Sequence, residues 1–180
     1  MNPSLQDSVY FREEQKFHQP WIWTLLMVMT LAAVILFGYG MIKQLVFGQP
    51  WGDRPMSDSA LAIVGPLVIL FTIGMTYLFL KLKLVTEVRD EGLYIRFFPL
   101  SRQIIRYENI EESDVRTYRP LKEYGGWGIR YGRKGKAYNV SGNRGVQLKL
   151  SGGKKLLIGS QQPEKLADAI AERMKNQNAR

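Results

Sequence analysis

The spacing of hydrophobic positions divides the chain into two regimes. From Trp21 to Ile42, and again from Ala60 to Leu80, there is no Asp, Glu, Lys, Arg or His. At a rise of ~1.5 Å per residue, runs of this length cross a hydrocarbon core of ~30 Å as α-helices. A core helix of a soluble domain is usually shorter and keeps a polar face, whereas these two runs are apolar all round. The pattern predicts membrane spans at 21–42 and 60–80, joined by an external loop at 43–59 that carries Gly48, Pro50, Gly52 and Pro55. Ala32, Ala33, Gly38, Gly65 and Gly74 are small enough to let the two backbones approach, and Gly65-Pro66 predicts a kink. The spans read as lacking polar groups that would line a water path.

From Leu84 onwards the period falls to two. Leu84–Arg89 and Leu93–Phe97 alternate about the turn Asp90-Glu91-Gly92, with Leu93, Ile95 and Phe97 on one face. Further strands are predicted at 103–107, 113–118, 129–131, 136–140, 145–150 and 154–158. A helix follows at 163–175: Pro163 suits its first position, and Leu166, Ala167, Ile170, Ala171 and Met174 make one apolar face. The expected fold class is an α+β membrane protein, a two-helix transmembrane hairpin followed by a bent antiparallel β-barrel of about seven strands capped by a C-terminal α-helix. That domain is expected to occupy residues 84–180. Residues 1–20 read as a polar leader. They form either a short interfacial helix that dips Tyr10, Phe11 and Phe17 into the headgroups or a frayed tail.

Composition narrows the chemistry. The chain has no cysteine and one histidine, His18, so disulfides, thiolate nucleophiles and the usual zinc and iron sites are excluded. No cofactor and no metal is expected, and the chain reads as a non-enzyme with no catalytic residues. The net charge of +9 is uneven: residues 84–180 hold 19 Lys and Arg against 11 Asp and Glu. Lys81, Lys83 and Arg89, just after the second span, predict that both termini face the cytoplasm. Basic surplus beside a bilayer points to orientation and anionic lipid before nucleic acid.

Three stretches carry a likeness to known sequences. They are Phe11-Arg12-Glu13-Glu14-Gln15 ahead of Gln19-Pro20-Trp21, then Gly126-Trp127-Gly128-Ile129-Arg130, then Leu157-Ile158-Gly159-Ser160 followed by Pro163-Glu164-Lys165-Leu166. On these the chain resembles an uncharacterised bacterial membrane-protein family in which two N-terminal spans precede a pleckstrin-homology-like (PH-like) domain. The resemblance implies the bacterial inner membrane and a seven-stranded bent sheet with a C-terminal helix. It implies no activity, because the family has none assigned. The basic first hairpin with which eukaryotic pleckstrin domains hold phosphoinositides does not carry over, since Asp90-Glu91-Gly92 is acidic.

The best candidate site is the basic turn formed by Arg130, Arg133, Lys134 and Lys136, with Arg144 and Trp127 beside it. Gly132 and Gly135 would free backbone N–H groups for an anion, and the cations supply charge. The other reading is a solvated hairpin. Tyr131 and Tyr138 lie among these cations, but the membrane tether disfavours stacking on nucleobases. Glu108, Glu111, Glu112 and Asp114 read as a solvated acidic turn. The expected role is a membrane-anchored, non-catalytic binding or scaffold module that engages a protein partner through a sheet edge or the groove beside the C-terminal helix. The alternative is anionic-phospholipid binding through residues 130–136, and a lipid-acting enzyme stands third.

Overall fold

The computed structural model describes residues 8–132 and 134–178. The chain separates into two compact units: Met1–Phe17 with Leu82–Arg180, and His18–Lys81. The apolar unit is therefore an insertion within the polar one.

In the inserted unit, α1 (Pro20–Met41) continues as a π-helical turn (Ile42–Val46) and returns as α2 (Asp58–Lys81). Pro20 occupies the first turn of α1, where its missing N–H costs nothing. By length and composition, Pro20–Val46 and Asp58–Lys81 are each long and apolar enough to cross a membrane. Pro66 sits inside α2 without ending it. The spans are not free of polar contacts: the hydroxyls of Thr30 and Thr76 lie 3.0 Å apart across the hairpin. Of the small residues, Ala33 is buried and a Cβ on Gly65 would meet the Met41 sulfur at 2.8 Å, whereas Gly38 and Gly74 face open space. The loop is more ordered than an irregular turn. Buried Gln44 donates to Met56 O (2.6 Å) and Asp58 Oδ1 (2.8 Å), and Trp51 packs edge-on against Phe37 and closes over Gly40.

The polar unit holds two sheets. The first has the order β1-β2-β3-β4, all antiparallel: β1 (Val9–Lys16), β2 (Lys83–Arg89), β3 (Leu93–Phe98) and β4 (Ser101–Ile105). A 3₁₀ turn (Tyr107–Asn109) leads to β5 (Ile110–Thr117). After it come the short helix α3 (Pro120–Tyr124), β6 (Gly128–Gly132), β7 (Gly135–Asn139), β8 (Arg144–Leu150) and β9 (Lys154–Gly159). These strands order as β5-β8-β9-β7-β6, with β7 and β9 parallel. The terminal α4 (Pro163–Asn178) packs on β5 and β8 of one sheet and on β1 and β2 of the other, burying Leu166 and Ile170. Full burial of each is worth about 1.5–3 kcal/mol.

Two expectations are corrected here. Residues 9–16 of the leader are neither an interfacial helix nor a frayed tail: they form β1 and pair with β2 from Val9↔Arg89 to Lys16↔Lys83, while residues 1–7 lie outside the described residues. The alternation of β1 supplies the reason: Glu13, Gln15 and Phe17 are buried while Arg12, Glu14 and Lys16 are exposed. The sheets also do not close into a barrel; they stay separate, with four and five strands. Side chains fill the seams where ladders would be needed. Gln15 Nε2 donates to Gly159 O (2.8 Å), and Glu13 accepts from Ser160 Oγ (2.5 Å) and Gln161 N (2.7 Å). On the other side Tyr138 Oη meets Ser101 Oγ (3.2 Å) and Gln103 Oε1 (3.1 Å). Side chains of this length hold the edges beyond the ~4.8 Å at which strands hydrogen-bond.

Candidate functional site

The β6–β7 hairpin carries most of the basic residues singled out above, and it disperses them. Arg130 is exposed, and its Nε donates to Trp127 O at 2.8 Å. Arg133 lies outside the described residues. Lys134 Nζ pairs with Glu123 at 3.4 Å. Lys136 lies over the rings of Tyr138 (4.6 Å) and Tyr131 (5.5 Å), and its Nζ donates to Gln103 Oε1 at 3.4 Å. Burial works to lower the Lys136 pKa, but the two phenols outweigh it and hold the ammonium above the ordinary lysine value. Arg144 is on β8, paired with Glu164 at the start of α4. Trp127 is half-buried, and its Nε1 donates to Gly142 O at 3.0 Å, tying the hairpin to the turn before β8.

The two glycines do not open an anion cradle. A Cβ on Gly132 would stand 2.1 Å from Glu123 O, and one on Gly135 would stand 2.1 Å from Lys155 O. Gly135 also has φ +99°, which side chains rarely adopt. Both glycines admit neighbouring backbone. Glu123 is the hub of this end of the sheet, receiving Arg116 at 2.5 Å, Arg119 N at 2.9 Å and Lys134. The acidic cluster is similarly engaged: Glu108 pairs with Arg106, and Lys149 bridges Glu111 and Glu112. Asn139, marked in the sequence only as the start of the sequon Asn139-Val140-Ser141, which means nothing on a strand expected to face inside, is fully buried between Gly128 N (2.9 Å) and Tyr118 Oη (3.2 Å). Its place between β6 and the core depends on contacts that only the fold creates.

The outer side of this hairpin is a sheet edge, approached at Gly132 by the Glu123 carbonyl. β6 is an edge strand, and among the described residues its ladder groups pair only with β7. Tyr131 on this edge is 75% exposed.

A second surface is not legible in the sequence. Opposite the core-facing side chains of the four-stranded sheet lie Arg12, Lys16, Lys83, Arg89, Arg96 and Arg102, with only Glu14 and Glu87 as strand carboxylates. Glu87 is buried and taken by Arg89 (2.6 Å) and Arg12 (3.4 Å); Glu14 is taken by Lys83 (3.0 Å) and Lys16 (3.4 Å). Arg96 and Arg102 face each other across β3 and β4, and neither has a side-chain partner among the described residues. A shallow dimple between them includes Val85, Glu87 and Tyr94. The clue was the outward half of the alternation in Tyr94-Ile95-Arg96-Phe97-Phe98, but the register that sets Arg96 against Arg102 is invisible in sequence.

A family model described as a family of unknown function (DUF6141) matches residues 4–176. No curated protein matches the chain.

Proposed function

The chain belongs to the DUF6141 family of unknown function, and from its geometry we propose a membrane-anchored, non-catalytic binding module that engages a protein partner by strand addition at β6. The observation that carries the reading is the unpaired β6 edge with Tyr131 projecting from it. An extended segment gains main-chain hydrogen bonds there, and the side chains beside it set specificity. The anionic-headgroup reading of the same hairpin has less support, since Lys134, Lys136 and Arg144 are already held by Glu123, Tyr138 with Gln103, and Glu164.

Anchorage rests on the two apolar helices, and the bacterial inner membrane on the resemblance. Two spans would return the chain to its starting side, and the β1–β2 ladder between their flanks is in keeping with that. Lys81, Lys83 and Arg89 support the cytoplasm as that side. A four-stranded sheet beside a second sheet, with α4 laid over both, is in keeping with an open PH-like fold.

The test is a photo-crosslinking residue at Tyr131 in the full-length protein in its own membrane, with Ser151 at the far β8–β9 turn as control. A discrete heavier adduct from position 131 that survives alanine replacement of Arg130, Lys134 and Lys136 is expected. Adducts equal at both positions, or lost with the cations, would overturn strand addition.

A further inference from the structure

The free arginine pair on the first sheet stands beside an apolar tip. Phe98, Pro99 and Leu100 make the β3–β4 turn, and all three are exposed, Phe98 by 42% and Leu100 by 59%. Ile104 shares the arginine face and is 46% exposed. Opposed like charges on neighbouring strands destabilise a sheet unless something offsets them. Each strand carboxylate on this face is already shared by two other cations, which leaves Arg96 and Arg102 with no ion-pair partner among the described residues. Two planar guanidinium forks on adjacent strands suit one tetrahedral oxyanion held by several N–H groups.

Chain length keeps this tip near whatever holds α2. Phe98 pairs with Lys83, two residues after the last residue of α2, Lys81. Two residues of extended chain reach at most ~7 Å, and paired strands lie roughly 5 Å apart. A site of apolar tip and phosphate-sized cation pair, tethered within this reach of a membrane span, has the chemistry of the interface itself.

We propose that the β3–β4 hairpin is a membrane-docking site: Phe98, Pro99 and Leu100 enter the headgroup layer while Arg96 and Arg102 together hold the phosphate of an anionic phospholipid. This proposal rests on the membrane anchorage above and is independent of the β6 partner. It moves lipid recognition from the basic turn 130–136, where Arg130, Lys134 and Lys136 are engaged, to a pair that has no counter-ion among the described residues.

The chain has no cysteine, so Leu100→Cys places a single environment-sensitive fluorophore at the tip of the full-length protein. The labelled protein is reconstituted in vesicles of phosphatidylcholine alone or rich in phosphatidylglycerol, and Ser151→Cys serves as the control position. Blue-shifted emission, quenched by lipid-borne quenchers, is expected at position 100 in phosphatidylglycerol-rich vesicles and not at position 151. Near-surface cations are each worth about 1 kcal/mol, so Arg96→Gln with Arg102→Gln lowers the docked-to-free ratio roughly 30-fold. Added salt weakens docking of the unsubstituted arginine pair in the same assay, which keeps the proposal testable should the double variant misfold. A label that stays aqueous in both vesicles overturns the proposal, as does insertion that ignores lipid charge and salt. A shift produced by inorganic phosphate alone in phosphatidylcholine vesicles would make this a free-anion site and overturn the lipid assignment. Failure of the protein to float with vesicles would instead sink the anchorage.

Discussion

At the scale of single residues, the polar side chains that do most are those with counter-ions already in place. Glu123 is the clearest case. Burial pushes its carboxyl pKa up, but the Arg119 N–H and the Arg116 guanidinium, with Lys134 beyond them, outweigh burial and hold it below the ordinary 4.5. A carboxyl lowered on folding stabilises the fold above its unfolded pKa, and that stability is lost as pH falls through the folded value. Glu123→Gln is therefore expected to cost about 1.5–3 kcal/mol at neutral pH, the scale of hydrogen bonds to a charged group. Denaturation of the two proteins should converge as pH drops below 4.5. A difference constant from pH 7 to pH 3 would assign Glu123 a packing role only.

At the scale of elements, the β6–β7 turn is built by close approach of backbone. Alanine at Gly135 meets both a left-handed φ and the Lys155 carbonyl at 2.1 Å, whereas alanine at Gly152 meets the left-handed φ (+83°) in open space. Backbone strain costs about 1–3 kcal/mol by itself, and the collision at Gly135 adds to it. Chemical denaturation should find Gly135→Ala more destabilising than Gly152→Ala by at least ~1 kcal/mol, the low end of overpacking costs. Equal losses would place the whole cost in φ and remove the contact with β9 from the account.

At the scale of the molecule, the insertion decides what can fold. A fragment beginning at residue 82 lacks β1, leaving the β2 edge open and Ser160 without the Glu13 carboxylate. Joining Phe17 to Leu82 through a short turn is geometrically easy, because Lys16 and Lys83 are paired neighbours. The joined protein is expected to unfold cooperatively when heated, with the 82–180 fragment aggregating or melting broadly. A fragment that melts as sharply and as late as the joined protein would make β1 an accessory strand.

Sequence periodicity alone determined the two apolar helices, most of the strands from β2 to β9 and the amphipathic C-terminal helix, because hydrophobic spacing is a local property. β1 escaped it: its alternation is carried by Glu13 and Gln15, polar residues that become inward-facing only against Ser160, Gln161 and Gly159, some 150 positions away. Closure of the barrel likewise depended on which side chains fill the seams. The cations at 130–136 and Arg144 were legible as a cluster, with Tyr131 and Tyr138 among them, but the counter-ions Glu123 and Glu164 were not. The Arg96–Arg102 pair was illegible for the same reason. Register and counter-ions are long-range pairings, and only the folded chain brings those residues within reach of one another.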